Sequence, residues 1–140
     1  MDAKTAKDWG GQKQVGKILK KVFLLEDEPI LLKLMEDELK HHDLDVYSFS
    51  DPKELLDSVG PKELSEQVLI TDERMHGMSG LSLVQDLAQE LGEKKPLCII
   101  FTGDSDAVED HPGRDLADLV VEKPIDPEEF IALLKGMISI

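Results

Sequence analysis

Five short apolar runs divide this sequence, and they restrict the possible folds more than any other feature. They span residues 22–25, 46–49, 68–71, 97–102 and 119–122. The first, third and fourth runs scarcely alternate with polar residues, which is typical of strands buried on both faces of a parallel sheet. Helical patterns separate the runs, so strand and helix alternate along the chain. The sequence therefore predicts an α/β fold in which helices cover both faces of a doubly wound, five-stranded parallel sheet.

Three of the helical segments have clear starting signals. Pro29 suits a first helical turn, and both Asp51-Pro52 and Asp126-Pro127 place a capping carboxylate before a proline at the first helical position. The segment after Pro29 carries an apolar stripe, which we expect to face the sheet. Its members are Ile30, Leu31, Leu34, Met35 and Leu39.

The interval before the fifth run differs from the others. Residues 103–118 contain His111-Pro112-Gly113, and a proline and a glycine inside a helix together cost about 3–4 kcal/mol relative to alanine. We therefore expect the fourth helix to be short or broken.

Charge and composition narrow the class of protein. The chain of 140 residues carries a net charge of −14, which argues against nucleic-acid binding because that binding depends on Lys and Arg. Its single cysteine excludes a disulfide within the chain, and no apolar run reaches the ~20 residues that span a bilayer. We expect a cytoplasmic protein without membrane insertion. Residues 1–20 contain Gly-Gly and scattered lysines but little apolar periodicity, so we expect a flexible leader there.

Polar residues at the ends of the runs would share one edge of the sheet. Glu26 and Asp27 follow the first run, Asp72 follows the third, Thr102 ends the fourth, and Lys123 follows the fifth. In open parallel sheets, ligands bind beyond the carboxyl ends of the strands. Neighbouring carboxylates disfavour each other's ionisation, so an acidic cluster there needs a cation or a proton, and oxygen ligands suit Mg²⁺. The alternative is that these acids, among 30 in the chain, only cap surface loops.

Lys123 and Thr102 favour the first of these interpretations. A lysine supplies positive charge to phosphoryl oxygens and a hydroxyl supplies a hydrogen-bond donor. Together with a metal ion they stabilise the transition state of phosphoryl transfer. An aspartate such as Asp72 can accept the phosphoryl group covalently. The residues at this edge are therefore consistent with phosphoryl-transfer chemistry.

Four blocks of sequence point to a family. In chain order they are FLLEDEP, LITDERMHGMSGLSL, CIIFTG and VVEKPID. They resemble the signature blocks of response-regulator receiver domains of two-component signal transduction. The resemblance covers residues 21–140, which we interpret as one receiver domain. It implies a flavodoxin-like, chemotaxis-regulator-like fold with the strand order 2-1-3-4-5.

The resemblance also implies roles for individual residues. Asp72 matches the phosphoacceptor of the family. Thr102 and Lys123 match the hydroxyl and the lysine that contact the phosphoryl group. Glu26 and Asp27 match the acidic positions that hold Mg²⁺ together with the phosphoacceptor.

Two further positions follow from the same resemblance. The backbone carbonyl of Arg74 is expected to complete the Mg²⁺ ligands, and the side chains of Arg74 and Asp104 are expected to tune the lifetime of the phosphorylated state. Such domains accept the phosphoryl group from a histidine kinase or a phosphotransfer protein, and they catalyse only their own phosphorylation and dephosphorylation. Because no effector domain follows in this sequence, we expect output through contact with a downstream target protein. We also expect a monomer or weak dimer.

The sequence departs from the family pattern at three places. Glu26 stands where Asp is more usual, Met75-His76 stands where Pro commonly ends the loop, and Val120 stands where Tyr or Phe is usual. Without that aromatic ring, the familiar coupling of hydroxyl movement to ring rotation is absent. We therefore expect intact chemistry with an unusual readout.

Three alternatives remain open. A receiver-like scaffold that is not phosphorylated would act only by protein binding; Val120 favours it and the complete set of acids, hydroxyl and lysine disfavours it. A flavodoxin-like electron carrier would need a phosphate-cradling loop after the first run, where the acidic sequence EDEP repels phosphate. An enzyme of the aspartyl-phosphatase type would need a second Asp two residues after the nucleophile, where Arg74 stands.

Overall fold

The structure is a computed structural model that describes residues 20–138. The predicted leader, apart from Lys20, lies outside the described residues. The strands are β1 (Lys21–Leu25), β2 (Asp45–Phe49), β3 (Val68–Asp72), β4 (Leu97–Thr102) and β5 (Leu119–Glu122). The α-helices are α1 (Pro29–His41), α2 (Pro52–Ser58), α3 (Pro61–Leu64), α4 (Gly80–Leu91), α5 (Ser105–Glu109) and α6 (Pro127–Met137), with short 3₁₀ turns at Gly92–Lys94 and Arg114–Leu116.

All five strands are parallel and lie in the order β2-β1-β3-β4-β5, which confirms the predicted fold. Helices α1 and α6 cover one face of the sheet, and α2 to α5 cover the other. β3 is central, and every one of its residues is buried, as its uninterrupted apolar run predicts. Among the described residues, no helix combines the length and apolarity that crossing a membrane requires.

Strand register brings the carboxyl ends of the central strands to one level. Leu25 lies opposite Thr71, so the residue that follows β1 is level with the last residue of β3. Asp72 lies opposite Phe101, and Thr102 lies opposite Glu122. Side chains from four separate stretches of sequence therefore meet at this edge of the sheet.

The predicted apolar stripe of α1 is wrong at two positions. Ile30 is 77% exposed and Leu34 is 46% exposed, whereas Met35 and Leu39 are fully buried. At about 100° per residue, Ile30 and Leu34 lie roughly 100–140° around the helix from Met35. The face that packs on the sheet is therefore centred on Met35, and it leaves these two side chains in solvent.

The fourth interval contains the short helix that the sequence predicts. α5 has five residues and ends at Glu109, before His111-Pro112-Gly113. Gly113 packs closely on α4, because a Cβ there would lie 2.8 Å from Cγ of Gln85. The turn is thus held against the neighbouring helix. The one-turn helix α3 was not predicted, since four residues are too few for a periodic pattern.

Gly80 begins α4 directly against the end of β3. A Cβ at this position would lie 2.4 Å from the backbone oxygen of Asp72 and 3.1 Å from Cγ2 of Thr71. A side chain of any size would push α4 away from the strand end, so glycine is required by the close approach of the backbone.

Replacing Gly80 with Ala is expected to lower the free energy of unfolding by about 1–3 kcal/mol, because the added methyl group overpacks the strand end. Gly136→Ala in α6 is the matched control, since no atom lies within 4 Å of its added Cβ. It should be neutral or stabilising by up to about 1 kcal/mol, because alanine is the better helix former. Urea denaturation measures both, and wild-type stability of G80A would contradict the prediction.

Candidate functional site

Three carboxylates form a cluster at the carboxyl end of the sheet. Glu26 and Asp27 follow β1, and Asp72 ends β3. One carboxylate oxygen from each lies within 4.8 Å of the others. Glu26 and Asp72 are buried, at 1% and 6% exposed, while Asp27 is exposed. The structure therefore brings together the three acidic side chains that the sequence predicts for a metal site.

Lys123 contacts two of these carboxylates. Its Nζ lies 3.0 Å from Oδ1 of Asp72 and 3.4 Å from Oε1 of Glu26. The lysine follows β5, and its backbone N–H donates to the carbonyl oxygen of Thr102 at 2.7 Å. The peptide bond to Pro124 is cis. The lysine thus places one positive charge against the acidic cluster.

Burial and charge shape the titration of this group. Burial raises the pKa of Glu26 to about 7, assisted by the charge of Asp72, while the N–H of Glu28 and the ammonium of Lys123 act in the opposite direction. Burial by itself would lower the pKa of Lys123. The contacts of its ammonium with the carboxylates of Asp72 and Glu26 outweigh burial, so the pKa of Lys123 is raised. Lysine therefore stays charged, while the buried carboxyl of Glu26 readily holds a proton.

The acidic cluster fits a hard divalent cation. Oε2 of Glu26 accepts a hydrogen bond from the N–H of Glu28 at 3.1 Å, whereas its buried Oε1 has no hydrogen bond and only the longer contact of 3.4 Å with the ammonium of Lys123 among the described residues. A buried carboxylate oxygen without a partner is costly unless a positive group contacts it. Mg²⁺ binds to proteins through one or two carboxylates alongside water and phosphate oxygens, and this cluster offers such carboxylates.

The cavity beside Asp72 has a volume of about 770 Å³. Its lining includes Asp72, Arg74, Thr102, Asp104 and Lys123. Glu26 and Asp27 are outside this lining, so the cluster and the cavity meet at Asp72. The predicted residues therefore surround one site, with the carboxylates on one side and the cavity on the other.

Thr102 and Asp104 are bonded to each other rather than to Asp72. The hydroxyl of Thr102 accepts from the N–H of Asp104 at 2.9 Å and donates to its carbonyl oxygen at 3.1 Å. The carboxylate of Asp104 accepts from the N–H of Ala107 at 3.1 Å and so caps α5. Within residues 20–138, Arg74 and Asp104 form no ion pair, although both line the cavity.

Glu73 belongs to the site but was not predicted from the sequence. It lines the cavity, and its Oε1 accepts from the N–H of Leu81 at 2.8 Å. The contact spans eight residues, whereas the capping-box rule looks only three residues along the chain. The one signal in the sequence that could have indicated Glu73 is its position, because it is an acidic residue directly after the predicted phosphoacceptor and shortly before the start of a helix.

The raised pKa of Glu26 predicts an unusual pH dependence in metal-free protein. The folded state keeps a proton on Glu26 up to about pH 7, whereas the unfolded state releases it near pH 4.5. Stability should therefore fall as the pH rises between these values, by about 1.4 kcal/mol for each pKa unit of difference.

Urea unfolding in a chelator at about pH 5 and about pH 8 measures this effect. The variant Glu26→Gln cannot titrate at this position, so it should lose less stability than the wild type over the same pH interval. Equal losses in the two proteins would contradict the assignment.

The sequence of the chain matches known proteins along most of its length. The family model of the response regulator receiver domain matches residues 22–135. A response regulator, ArlR, of Staphylococcus saprophyticus is 31% identical over 121 residues, which cover 84% of this chain and 52% of that protein. A putative two-component response regulator of Arabidopsis thaliana, ARR21, is 27% identical over 135 residues, covering 96% of this chain and 21% of the relative. The chain thus spans about half, or less, of the length of these relatives.

Solved structures share the fold. The response regulator TrrA of Thermotoga maritima, in complex with Mg²⁺ and a beryllium fluoride, superposes with a TM-score of 0.70 at 22% identity, covering 86% of this chain and 100% of that one. The beryllofluoride-activated receiver domain of DrrB has a TM-score of 0.70 at 21% identity, covering 85% and 97%. The family model covers most of the chain, and the fold agrees with it: this chain belongs to the response regulator receiver domain family.

Proposed function

We propose that this chain accepts a phosphoryl group on Asp72 from a phosphohistidine of a histidine kinase or phosphotransfer protein, and that phosphorylation changes the surface it presents to a downstream target protein. One observation carries the proposal. The carboxylate of Asp72 opens on a cavity, lies 3.0 Å from the ammonium of Lys123, and belongs to a cluster of three carboxylates. A nucleophile, a positive charge and a set of metal ligands are thus within one site.

The transfer exchanges one bond to phosphorus for another. A carboxylate oxygen of Asp72 attacks the phosphorus, the bond from phosphorus to the imidazole nitrogen breaks, and the imidazole leaves with the bonding electron pair. Lys123 offsets negative charge on the transferred oxygens. Thr102 supplies a hydroxyl donor after its bonds to Asp104 break. Water later attacks the phosphorus, which releases inorganic phosphate and regenerates the carboxylate.

Mg²⁺ is the proposed cofactor. Glu26, Asp27 and Asp72 would hold it with the backbone carbonyl of Arg74, and the clustering of the three carboxylates supports this assignment. When bound, the ion supplies positive charge to the phosphoryl oxygens and lowers repulsion among the carboxylates.

We also propose the domain organisation, the cellular location and the oligomeric state of the protein. Residues 21–140 form the receiver domain, and residues 1–20 are a leader. The protein acts in the cytoplasm as a monomer or weak dimer, and it has no catalytic activity beyond its own phosphorylation and dephosphorylation. The family match over residues 22–135 supports the boundary of the domain.

A second candidate is a receiver-like scaffold that binds partners without phosphorylation. Val120 favours it, because this half-buried side chain packs on the core where the family has an aromatic ring. The hydroxyl of Thr102, which is fully engaged by Asp104, also favours it. The experiment below separates the two functions.

Incubation with Mg²⁺ and a small phosphodonor should add one acid-labile phosphoryl group to the wild type, as measured by intact mass. Asp72→Asn should show no adduct, because its amide is a poor nucleophile. Asp57→Asn is the matched control, since Asp57 is an exposed carboxylate in an i,i+4 ion pair on α2. A wild type that stays unmodified, and whose spectrum is also unchanged by Mg²⁺ with beryllofluoride, would favour the scaffold.

Arg74 should govern the lifetime of the phosphorylated form. If its side chain shields the acyl phosphate from water at the cavity mouth, Arg74→Asn should speed hydrolysis by roughly tenfold, equal to about 1.4 kcal/mol of barrier. Loss of radiolabelled phosphate over time measures the rate, and Arg114→Asn, on the 3₁₀ turn that follows α5, is the control. An unchanged rate in R74N would remove Arg74 from this role.

A further inference from the structure

Glu73 follows Asp72 directly in the chain, and it forms hydrogen bonds with two other elements, β4 and α4. Its backbone N–H donates to the carbonyl oxygen of Phe101 at the end of β4 at 2.8 Å. Its own carbonyl oxygen accepts from the N–H of Gly80 at 2.9 Å, and its side-chain Oε1 accepts from the N–H of Leu81 at 2.8 Å. Glu73 thus closes the loop of residues 74–79 at both ends.

The first three N–H groups of α4 each have a partner outside the hydrogen bonds of the helix itself. A helix leaves these groups without partners inside itself. Glu73 accepts from the first two, through its carbonyl oxygen and then its carboxylate. Ser79 accepts from the third, Ser82, through its hydroxyl at 3.0 Å, and its carbonyl oxygen accepts the first bond within the helix, from Leu83, at 3.0 Å.

Water cannot replace the hydrogen bond that the Glu73 carboxylate accepts from the N–H of Leu81. Leu81 is 0% exposed, so its N–H would be left buried and unpaired if the carboxylate were removed. Such a group carries the full desolvation penalty, and the chain moves to relieve it. The movable part is the loop of residues 74–79, because Gly80 is already packed on the backbone of Asp72.

We propose that Glu73 is a positioning residue for the divalent cation. By tying α4 to the end of β3, it fixes the loop that begins with Arg74, the proposed carbonyl ligand, relative to the carboxylate of Asp72. The role depends on the acceptor oxygen of the side chain rather than on its charge. This inference rests on the proposed function of the site, and it adds a residue that does not touch the ion itself.

The test compares Mg²⁺ affinity, measured by calorimetry, with hydrogen exchange at the Leu81 amide, measured by NMR without Mg²⁺. Glu73→Ala should weaken Mg²⁺ binding by about tenfold, as loss of residues that orient metal ligands does, and should expose the Leu81 amide to exchange. Glu73→Gln keeps an acceptor oxygen, so both readouts should stay within about threefold of wild type.

Asp51→Ala is the matched control. It also removes one negative charge and one helix cap, because Asp51 accepts from the N–H of Lys53 at the start of α2 at 2.7 Å. It should lower stability without changing Mg²⁺ affinity. If Glu73→Ala does not fold, Glu73→Asp serves instead, since its shorter side chain cannot reach Leu81.

Each outcome decides the proposal. Unchanged Mg²⁺ affinity in Glu73→Ala, while the wild type binds Mg²⁺, would overturn the positioning role alone. Equal weakening in Glu73→Gln and Glu73→Ala would also overturn it, because charge would then explain the effect. Absence of Mg²⁺ binding in the wild type would overturn this proposal together with the proposed function.

Discussion

The contact of Lys123 with two buried carboxylates is the interaction on which the site depends. Parallel strand register places Glu26 and Asp72 side by side, and both are nearly inaccessible to water. Like charges at this spacing repel each other. Within the described residues, the ammonium of Lys123 ion-pairs with both, at 3.4 Å and 3.0 Å. This single positive charge offsets part of the repulsion between two carboxylates that the fold buries side by side.

The residues that follow β3 and β4 both line the site and hold the starts of the next helices. Asp72 is the last residue of β3, Gly80 touches its backbone, and Glu73 lies between them with bonds to α4 and β4. Thr102 is similarly engaged, since its hydroxyl is bonded to Asp104, which caps α5. The residues next to Asp72 therefore hold the start of α4, and residues on the wall of the same cavity hold the start of α5.

Much of the fold, and the placement of most residues of the candidate site, were predictable because their signals are local. Buried parallel strands leave uninterrupted apolar runs, and the residue after each run is placed by strand direction alone. The exposed side chains of Ile30 and Leu34 were mispredicted because hydrophobicity does not reveal which side of a helix meets the sheet. Glu73 was missed because its contact with Leu81 depends on how the loop folds back. Both failures concern tertiary packing, which sequence periodicity does not encode.

The five-residue helix α5 has a consequence for local stability. It has only five residues, its caps are held by backbone hydrogen bonds from Val108 to Asp104 and from Asp110 to Asp106, and it has one fully buried side chain, Val108. Helices this short do not persist without tertiary support. The segment should therefore open at a lower free energy than the sheet beneath it, as a separate cooperative unit. Because its cap is Asp104, which is bonded to Thr102, that opening equilibrium is connected directly to the wall of the cavity beside Asp72.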